Sequence, residues 1–182
     1  MSNKQLSVIA TGISPLVIHN GQTVDPLNKY ARMMKDISDK RKKTDDDLRE
    51  RTRIEFIAAL YVDEKGCPIV PGANLESMIV AASKRERKGK EFRASVWVPD
   101  NPKIEYDGPK KGEDLFADDR FRDTRNMRVK AARVPRTLPR FNKWALRFTV
   151  QYNASEIDER ALRAAIEVAG NIVGLGEYRP QC

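Results

Sequence analysis

Short segments in which apolar and polar residues alternate predict the β-strands of this chain. Leu6 to Ile18 is rich in Val, Ile and Leu but contains Gly12, Ser14 and Pro15. Because these three residues interrupt regular pairing, we expect a bent strand or two short strands there. Trp144 to Tyr152 alternates without a break and predicts a strand near the end of the chain.

Weaker patterns predict further short strands in the middle of the chain. Ala59–Val62 and Cys67–Val70 flank the turn-forming segment Asp63–Gly66, which indicates a hairpin. Ala94–Val98 predicts a strand, and Lys103–Tyr106 predicts a less regular one.

Helical spacing of apolar residues predicts two helices in the first half of the chain. One covers about Pro26 to Ser38, with Pro26 near its first turn. The second begins at a capping box formed by Thr44 and Asp47 and runs through Ile57. Together they predict a helical insertion over about residues 22–58.

Two later helices are predicted by the same spacing. The first begins near Leu75, with Asn74 as its expected N-cap. The second covers Glu156 to about Val168 with Ser155 as its cap, and a glycine-rich loop follows. Asp107 to Pro139 has few apolar anchors, so we expect a long irregular segment of the kind that is often functional.

The order of these elements predicts an α+β fold of the ferredoxin-like, βαββαβ type. We expect a single domain over residues 1–182, with a helical insertion at about 22–58 and a long basic insertion at about 100–143. The last strand of this fold is not evident after the glycine-rich loop. Either the chain is truncated there or a neighbouring chain completes the sheet.

Composition narrows the function classes. The chain has 182 residues, 33% of them charged, and a net charge of +8. No apolar run approaches the roughly 20 residues of a membrane helix, and the first residues lack a secretory signal. The two cysteines, Cys67 and Cys182, form no disulfide framework or metal pattern. We therefore expect a cytoplasmic protein that does not contact membranes and that binds a polyanion.

The excess of basic residues is concentrated in one segment. Between Arg120 and Lys143 there are nine lysines and arginines and a single acid, Asp123. This spacing predicts an extended or irregular arm that follows a polyphosphate. A solvated loop is the alternative, but the shortage of acids disfavours it.

Three short motifs follow one another along the chain. The first, Gly12–Gly21, is a strand with a Ser-Pro-Leu step and a glycine turn. The second, Pro68–Leu75, is an Ile-Val-Pro-Gly segment before a helix, and the third is the glycine-rich Gly174–Pro180. In this order they resemble the RAMP superfamily, which supplies the backbone subunits of CRISPR effector complexes. The chain departs from the family pattern at Glu76, where many members carry a lysine, and at Ala73 and Asn74, which replace serines.

The resemblance implies a palm of RNA-recognition-motif type and head-to-tail oligomers along single-stranded nucleic acid. It does not imply catalysis. It implies contacts from the first turn, the helix start, the glycine-rich loop and the insertions. The expected binding residues are His19, Asn20, Asn74, Ser77, Lys84, Arg85, Arg122, Arg125, Arg128, Lys130, Arg133, Arg136, Arg140, Gly174, Gly176, Tyr178 and Arg179.

Other interpretations of these residues remain open. The glycines of the loop are equally typical of a tight helix-to-strand turn. Base stacking is possible for Tyr178, Phe141 and Trp144, although a tryptophan more often belongs to a core. His19 is the only histidine and is typical of a turn, and we expect no metal or cofactor.

The functional hypothesis at this point is non-catalytic binding of single-stranded RNA, in preference to DNA, by a homo-oligomer or a RAMP-type assembly. A phage single-stranded DNA-binding or annealing protein is one alternative. A metal-dependent endoribonuclease using Asp25 is another, although that residue is also placed to cap a helix. A protein-interaction module is the third.

Overall fold

The computed structural model describes residues 3–129, 132–177 and 179, and the fold is α+β with two small antiparallel sheets. The elements of this described part are, in chain order, β1 (Asn3–Thr11), β2 (Leu16–Val17), α1 (Lys29–Ser38), α2 (Asp45–Ala59), α3 (Gly72–Ser83), α4 (Gly89–Ser95), β3 (Val96–Trp97), α5 (Gly112–Ala117), β4 (Arg122–Val129), β5 (Ala132–Phe141), β6 (Ala145–Asn153) and α6 (Glu159–Val168).

The chain forms two compact units. Unit 1 comprises residues 1–16, 69–106 and 143–182, and unit 2 comprises residues 17–68 and 107–142. The two segments predicted as insertions, at about 22–58 and 100–143, contribute most of unit 2. The prediction that residues 1–182 form a single domain stays a prediction. No helix in the described residues is long and apolar enough to cross a membrane.

Unit 1 is built on a sheet with the strand order β1-β6-β3. The antiparallel register pairs Leu6 with Val150 and Val8 with Phe148, so these residues share one face. Leu146, Val150 and Tyr152 on that face are almost completely buried. Each buried aliphatic side chain of this kind contributes about 1.5–3 kcal/mol, and the alternation predicted for Trp144–Tyr152 is confirmed as β6.

Unit 2 contains a sheet with the strand order β2-β5-β4. The hairpin β4–β5 runs in register from Arg122 opposite Pro139 to Val129 opposite Ala132. The expectation of an irregular segment over Asp107–Pro139 was therefore wrong, because this segment contains α5 and most of the hairpin.

The prolines of β5 explain this error. Pro135, Thr137 and Pro139 lie two residues apart, so their backbone nitrogens point in the same direction across the sheet. The N–H of Thr137 donates to a side chain of α2 at 3.2 Å instead of pairing with β4. Proline at the positions on either side therefore costs the β4–β5 ladder no hydrogen bond.

Several predicted short strands are reduced to isolated contacts. Ala59 is the last residue of α2, and the expected hairpin retains only the single bridge between Val62 and Pro68. In the predicted strand Lys103–Tyr106, Lys103 and Glu105 each form a single bridge. The strand expected over Ala94–Val98 is the end of α4 followed by β3. The helices α2 and α4 extend into two of the predicted strands and shorten them.

The helix starts agree with the sequence at α2 and differ at α1, α3 and α6. Helix α1 begins at Lys29, with Asn28 as its N-cap, and not near Pro26. Thr44 and Asp47 form the predicted capping box of α2, and a hydrogen bond from Lys40 lowers the pKa of Asp47 to about 2. Asn74 is not the N-cap of α3, since that helix begins two residues earlier, after Pro71. Asp158, not Ser155, caps α6 by accepting from two backbone N–H groups.

The start of α3 depends on the absence of a side chain at Gly72. A Cβ atom there would lie 2.4 Å from the carbonyl oxygen of Val98 and 2.5 Å from that of Asp100. The Gly72 N–H also donates to the Asn101 side chain at 2.9 Å. Because the obstructing atoms are backbone, they cannot rotate away, so this glycine is required for packing.

We therefore expect Gly72→Ala to lower the free energy of unfolding by about 1–3 kcal/mol, as overpacking does. Urea unfolding followed by circular dichroism measures the change. Gly170→Ala is the matched control, because a Cβ at Gly170 meets nothing within 4 Å. An equal effect of the two substitutions would contradict the steric explanation.

Candidate nucleic-acid interface

The basic segment of the chain is the hairpin β4–β5, and most arginines near its open end are paired with acids. Arg122 pairs with Asp119, and Arg125 pairs with Asp123 at 2.8 Å. The preceding Arg120 is held by an acid two residues earlier in the chain. The shortage of acids in the basic segment is thus partly made up by residues just upstream of it.

Glu55 of α2 neutralises a further arginine of the hairpin. Its side chain is only 6% exposed, although it carries a charge. One carboxylate oxygen pairs with the Nε of Arg136, and the other accepts the backbone N–H of Thr137 at 3.2 Å. Glu55 therefore joins α2 to β5 through both a side chain and the backbone, and Arg136 has a structural partner.

Arg128 and Arg133 differ from these arginines in the sequence around them. They are directly opposite one another in the β4–β5 register. The surrounding positions, residues 126–129 and 132–135, contain no acid. Arg133 is exposed, whereas Lys130 and the side chain of Arg128 lie outside the described residues.

Arg140 lies near the other end of β5. Its Nε is buried and has no hydrogen-bond partner among the described residues. Buried donors of this kind are uncommon, and each costs about 1–3 kcal/mol when it is left unpaired.

His19 and Asn20 belong to unit 2, where Asn20 has a structural role. Its side chain accepts the Gln22 N–H at 3.1 Å and donates to the Leu60 carbonyl at 3.3 Å. Asn20 therefore caps the short 3-10 turn Gly21–Val24. His19 is half-buried and lines a narrow cleft with Glu55 and Arg136.

The other predicted binding residues belong to unit 1. Asn74 is half-buried in the first turn of α3, and Ser77 is exposed on the same helix. Lys84 and Arg85 are exposed on the 3-10 turn that follows. Arg179 is exposed near the end of the chain, whereas Tyr178 lies outside the described residues.

The glycine-rich loop follows a π-helical turn, Ala169–Val173, at the end of α6. Gly174 and Gly176 have φ values of 76° and 87°, which favour glycine strongly. These glycines are therefore explained by the backbone of the turn. The C-terminal end of a helix carries a partial negative charge, so the helix dipole does not favour a phosphate here.

A pocket in unit 1 brings parts of all three motifs together. Its volume is about 230 Å³. It is lined by residues 10–15 of the first motif region, by Leu75 of the second and by Gly174 and Leu175 of the third. Met78, Leu146 and residues 170–172 complete the wall with Trp144.

Trp144 is held rigidly at this pocket. Its Nε1 donates to the Ser14 carbonyl at 2.9 Å, and its carbonyl accepts the Gly12 N–H at 2.9 Å. A Cβ at Gly12 would lie 2.2 Å from the indole nitrogen, so the glycine makes room for the ring. Phe141, by contrast, is fully buried 6.0 Å from the Phe121 ring and is not accessible to a base.

Asp25, the residue of the nuclease hypothesis, lies at the end of the 3-10 turn. Its carboxylate accepts the Leu27 N–H at 2.9 Å. It does not cap α1, because Asn28 does so. Among the described residues, no group of three or more His, Cys, Asp or Glu side chains is arranged to hold a metal ion.

Glu55 was not predicted from the sequence, although a signal was present. It lies between Ile54 and Phe56 in the otherwise apolar last part of α2, and an acid in such a run indicates a buried partner. Its partner, Arg136, is 81 positions away along the chain, so the pairing itself was not predictable.

We expect Glu55→Gln to lower the free energy of unfolding by about 2–4 kcal/mol, because it leaves the partly buried Arg136 without a counter-charge. Glutamine keeps the size of the side chain and an acceptor for Thr137, so the change isolates the charge. Glu105→Gln, in the exposed pair with Arg147, should cost less than about 1 kcal/mol. Chemical denaturation compares the two, and similar losses would contradict a special role for Glu55.

Function must therefore be inferred from geometry and charge. No protein-family model matches the chain, and no curated protein matches it in sequence. The features that suit a polyanion are the turn end of the hairpin in unit 2 and the surroundings of the pocket in unit 1.

Proposed function

We propose that this protein binds single-stranded RNA along its phosphate backbone, without cleaving it, as a RAMP-like subunit of an oligomer or ribonucleoprotein. The binding charge is concentrated at the turn end of the β4–β5 hairpin. Phosphate contacts of this kind provide affinity without reading the base sequence.

The observation that carries the proposal is a contrast between two arginine pairs of the same hairpin. Arg125 lies opposite Arg136, and Arg128 lies opposite Arg133. Like charges at directly opposite positions destabilise a sheet. In the first pair each arginine has its own acid, Asp123 or Glu55.

The sequence next to the second pair contains no acid in either strand, and Lys130, between the two strands in the chain, adds a further positive charge. A phosphate bound by Arg128 and Arg133 would offset the repulsion between two like charges at opposite positions. The arginines that pair with acids therefore serve the hairpin itself, and those near its turn bind the phosphates.

The topology of unit 1 supports a ferredoxin-like fold. Its strands and long helices follow in the order β1, α3, β3, β6 and α6. The sheet order places the third of these strands between the first and the second. This is the arrangement of the first five elements of a βαββαβ domain.

The resemblance to RAMP proteins is supported by position as well as by sequence. The three motifs come from segments more than forty residues apart, yet parts of each line the same pocket. Exposed Arg179 lies within the third motif and adds a donor fork for phosphate.

The alternatives gain less support. A nuclease would need several oxygen ligands for its metal, whereas Asp25 is engaged in a local turn. Binding of single-stranded DNA uses the same phosphate chemistry, and it is the closest competing outcome. RNA is preferred here because of the RAMP resemblance.

We expect Arg128→Ala/Arg133→Ala to weaken binding of a labelled single-stranded RNA and to flatten its salt dependence. Removing one phosphate contact lowers the slope of log K against log salt by about 0.7, so removing two should lower it by about 1.4. Fluorescence anisotropy at several salt concentrations measures this. A parallel series with single-stranded DNA determines which strand is preferred.

The matched control is Arg41→Ala/Lys42→Ala, which removes the same charge from exposed positions between α1 and α2. It should leave the slope unchanged. If both double variants weaken binding equally, net charge alone governs affinity and the proposal for the hairpin is wrong.

Head-to-tail assembly is also part of the proposal and rests on the resemblance. We expect the sedimentation coefficient to rise when a long single-stranded RNA is added, and the complexes to grow with RNA length. Heterologous contacts of this type give rings or open filaments. A short RNA that spans one subunit is the control, and a monomer under both conditions would refute assembly.

A further inference from the structure

The pocket of unit 1 has the properties of a site for one flat ring system. Its volume of about 230 Å³ is below the roughly 300–1,000 Å³ of pockets for drug-sized ligands. Trp144 is fixed in its wall by two hydrogen bonds and by contact with Gly12. The wall is therefore organised before any ligand enters.

The wall combines apolar surface with a few polar groups. Ile13, Met78, Leu146 and Ile172 provide aliphatic contacts on several sides. Thr11, Ser14 and Asn171 add hydroxyl and carboxamide groups. This combination suits a nucleobase, whose faces are apolar enough to stack and whose edge carries hydrogen-bond donors and acceptors.

Two wall residues are exposed in a way that indicates a missing occupant. Ile13 is 86% exposed and Ile172 is 45% exposed, although both line the same pocket. Neighbouring exposed aliphatic side chains beside a cavity are typical of a surface that is covered when a ligand binds.

The charge around the pocket is compatible with a nucleotide. None of the described residues that line it is acidic. Lys143, which precedes Trp144, and Arg179, four positions after Leu175, are both exposed. Because both are close in the chain to residues that line the pocket, we expect them to contact phosphates next to an inserted base.

We propose that this pocket holds one nucleobase of the bound strand, turned out of the stack, so that unit 1 contacts a base as well as phosphates. The inference rests on the proposed function and extends it. It predicts that binding depends on the presence of bases and that this dependence disappears when the pocket is filled.

The test compares two RNA oligonucleotides of equal length, one with bases and one with abasic riboses. Wild-type protein should bind the strand with bases roughly 5- to 150-fold more tightly, the range for one stacked base. Gly170 lines the pocket, and a Cβ there would meet nothing within 4 Å, so Gly170→Phe is the variant chosen to place a ring in the pocket. It should remove most of this preference and leave binding of the abasic strand unchanged.

Ile9→Ala, at an isoleucine that is 61% exposed and does not line the pocket, is the matched control and should behave as wild type. Ile13→Ala is a second variant, chosen because its exposed side chain is not needed for folding. It should lower the affinity for the strand with bases several-fold. The result thus stays interpretable if the phenylalanine variant fails to fold.

The outcomes separate the two proposals. If wild type binds neither strand, RNA binding itself is refuted. If it binds both strands equally, or if Gly170→Phe weakens both alike, RNA binding stands and the base pocket is refuted. A third outcome is that both strands bind equally, while adenosine monophosphate binds to wild type and not to Gly170→Phe. This result would assign the pocket to free nucleotides and would also overturn the inference.

Discussion

The buried carboxylate of Glu55 is the interaction on which the structure of unit 2 depends. A single side chain meets the guanidinium of Arg136 and the backbone N–H of Thr137, and so links α2 to β5. A charge this deeply buried is tolerated only when it is paired and hydrogen-bonded. The same contact satisfies the N–H of Thr137, which points away from β4. Pro135 and Pro139 occupy the β5 positions whose nitrogens point the same way.

This contact also divides the charge of the hairpin. Three of its arginines pair with acids: Arg122 with one in the preceding turn, Arg125 with one in β4 and Arg136 with one in α2. The buried Nε of Arg140, at the open end, has no hydrogen-bond partner among the described residues. Arginines near its turn have no acid close to them in either strand. The net charge of +8 therefore describes the hairpin poorly, because several of its arginines are already paired with acids.

In unit 1 the corresponding constraint is steric. Gly12 makes room for the Trp144 ring, and Gly72 makes room for two backbone carbonyls. Gly174 and Gly176 provide backbone conformations that other residues rarely adopt. Each of the three motifs thus contains a glycine that the packing or the backbone conformation requires. Parts of all three motifs also line the same pocket.

Local patterns in the sequence determined β6 and the start of α2. The alternation before Tyr152 specified β6, and Thr44 with Asp47 specified the start of α2, because both depend on neighbouring residues only. The hairpin was missed, since the prolines of β5 read as breaks until the direction of their missing N–H groups is known. Only the tertiary structure decided which arginines are neutralised, because the Glu55–Arg136 pair joins residues that are distant along the chain and close in space.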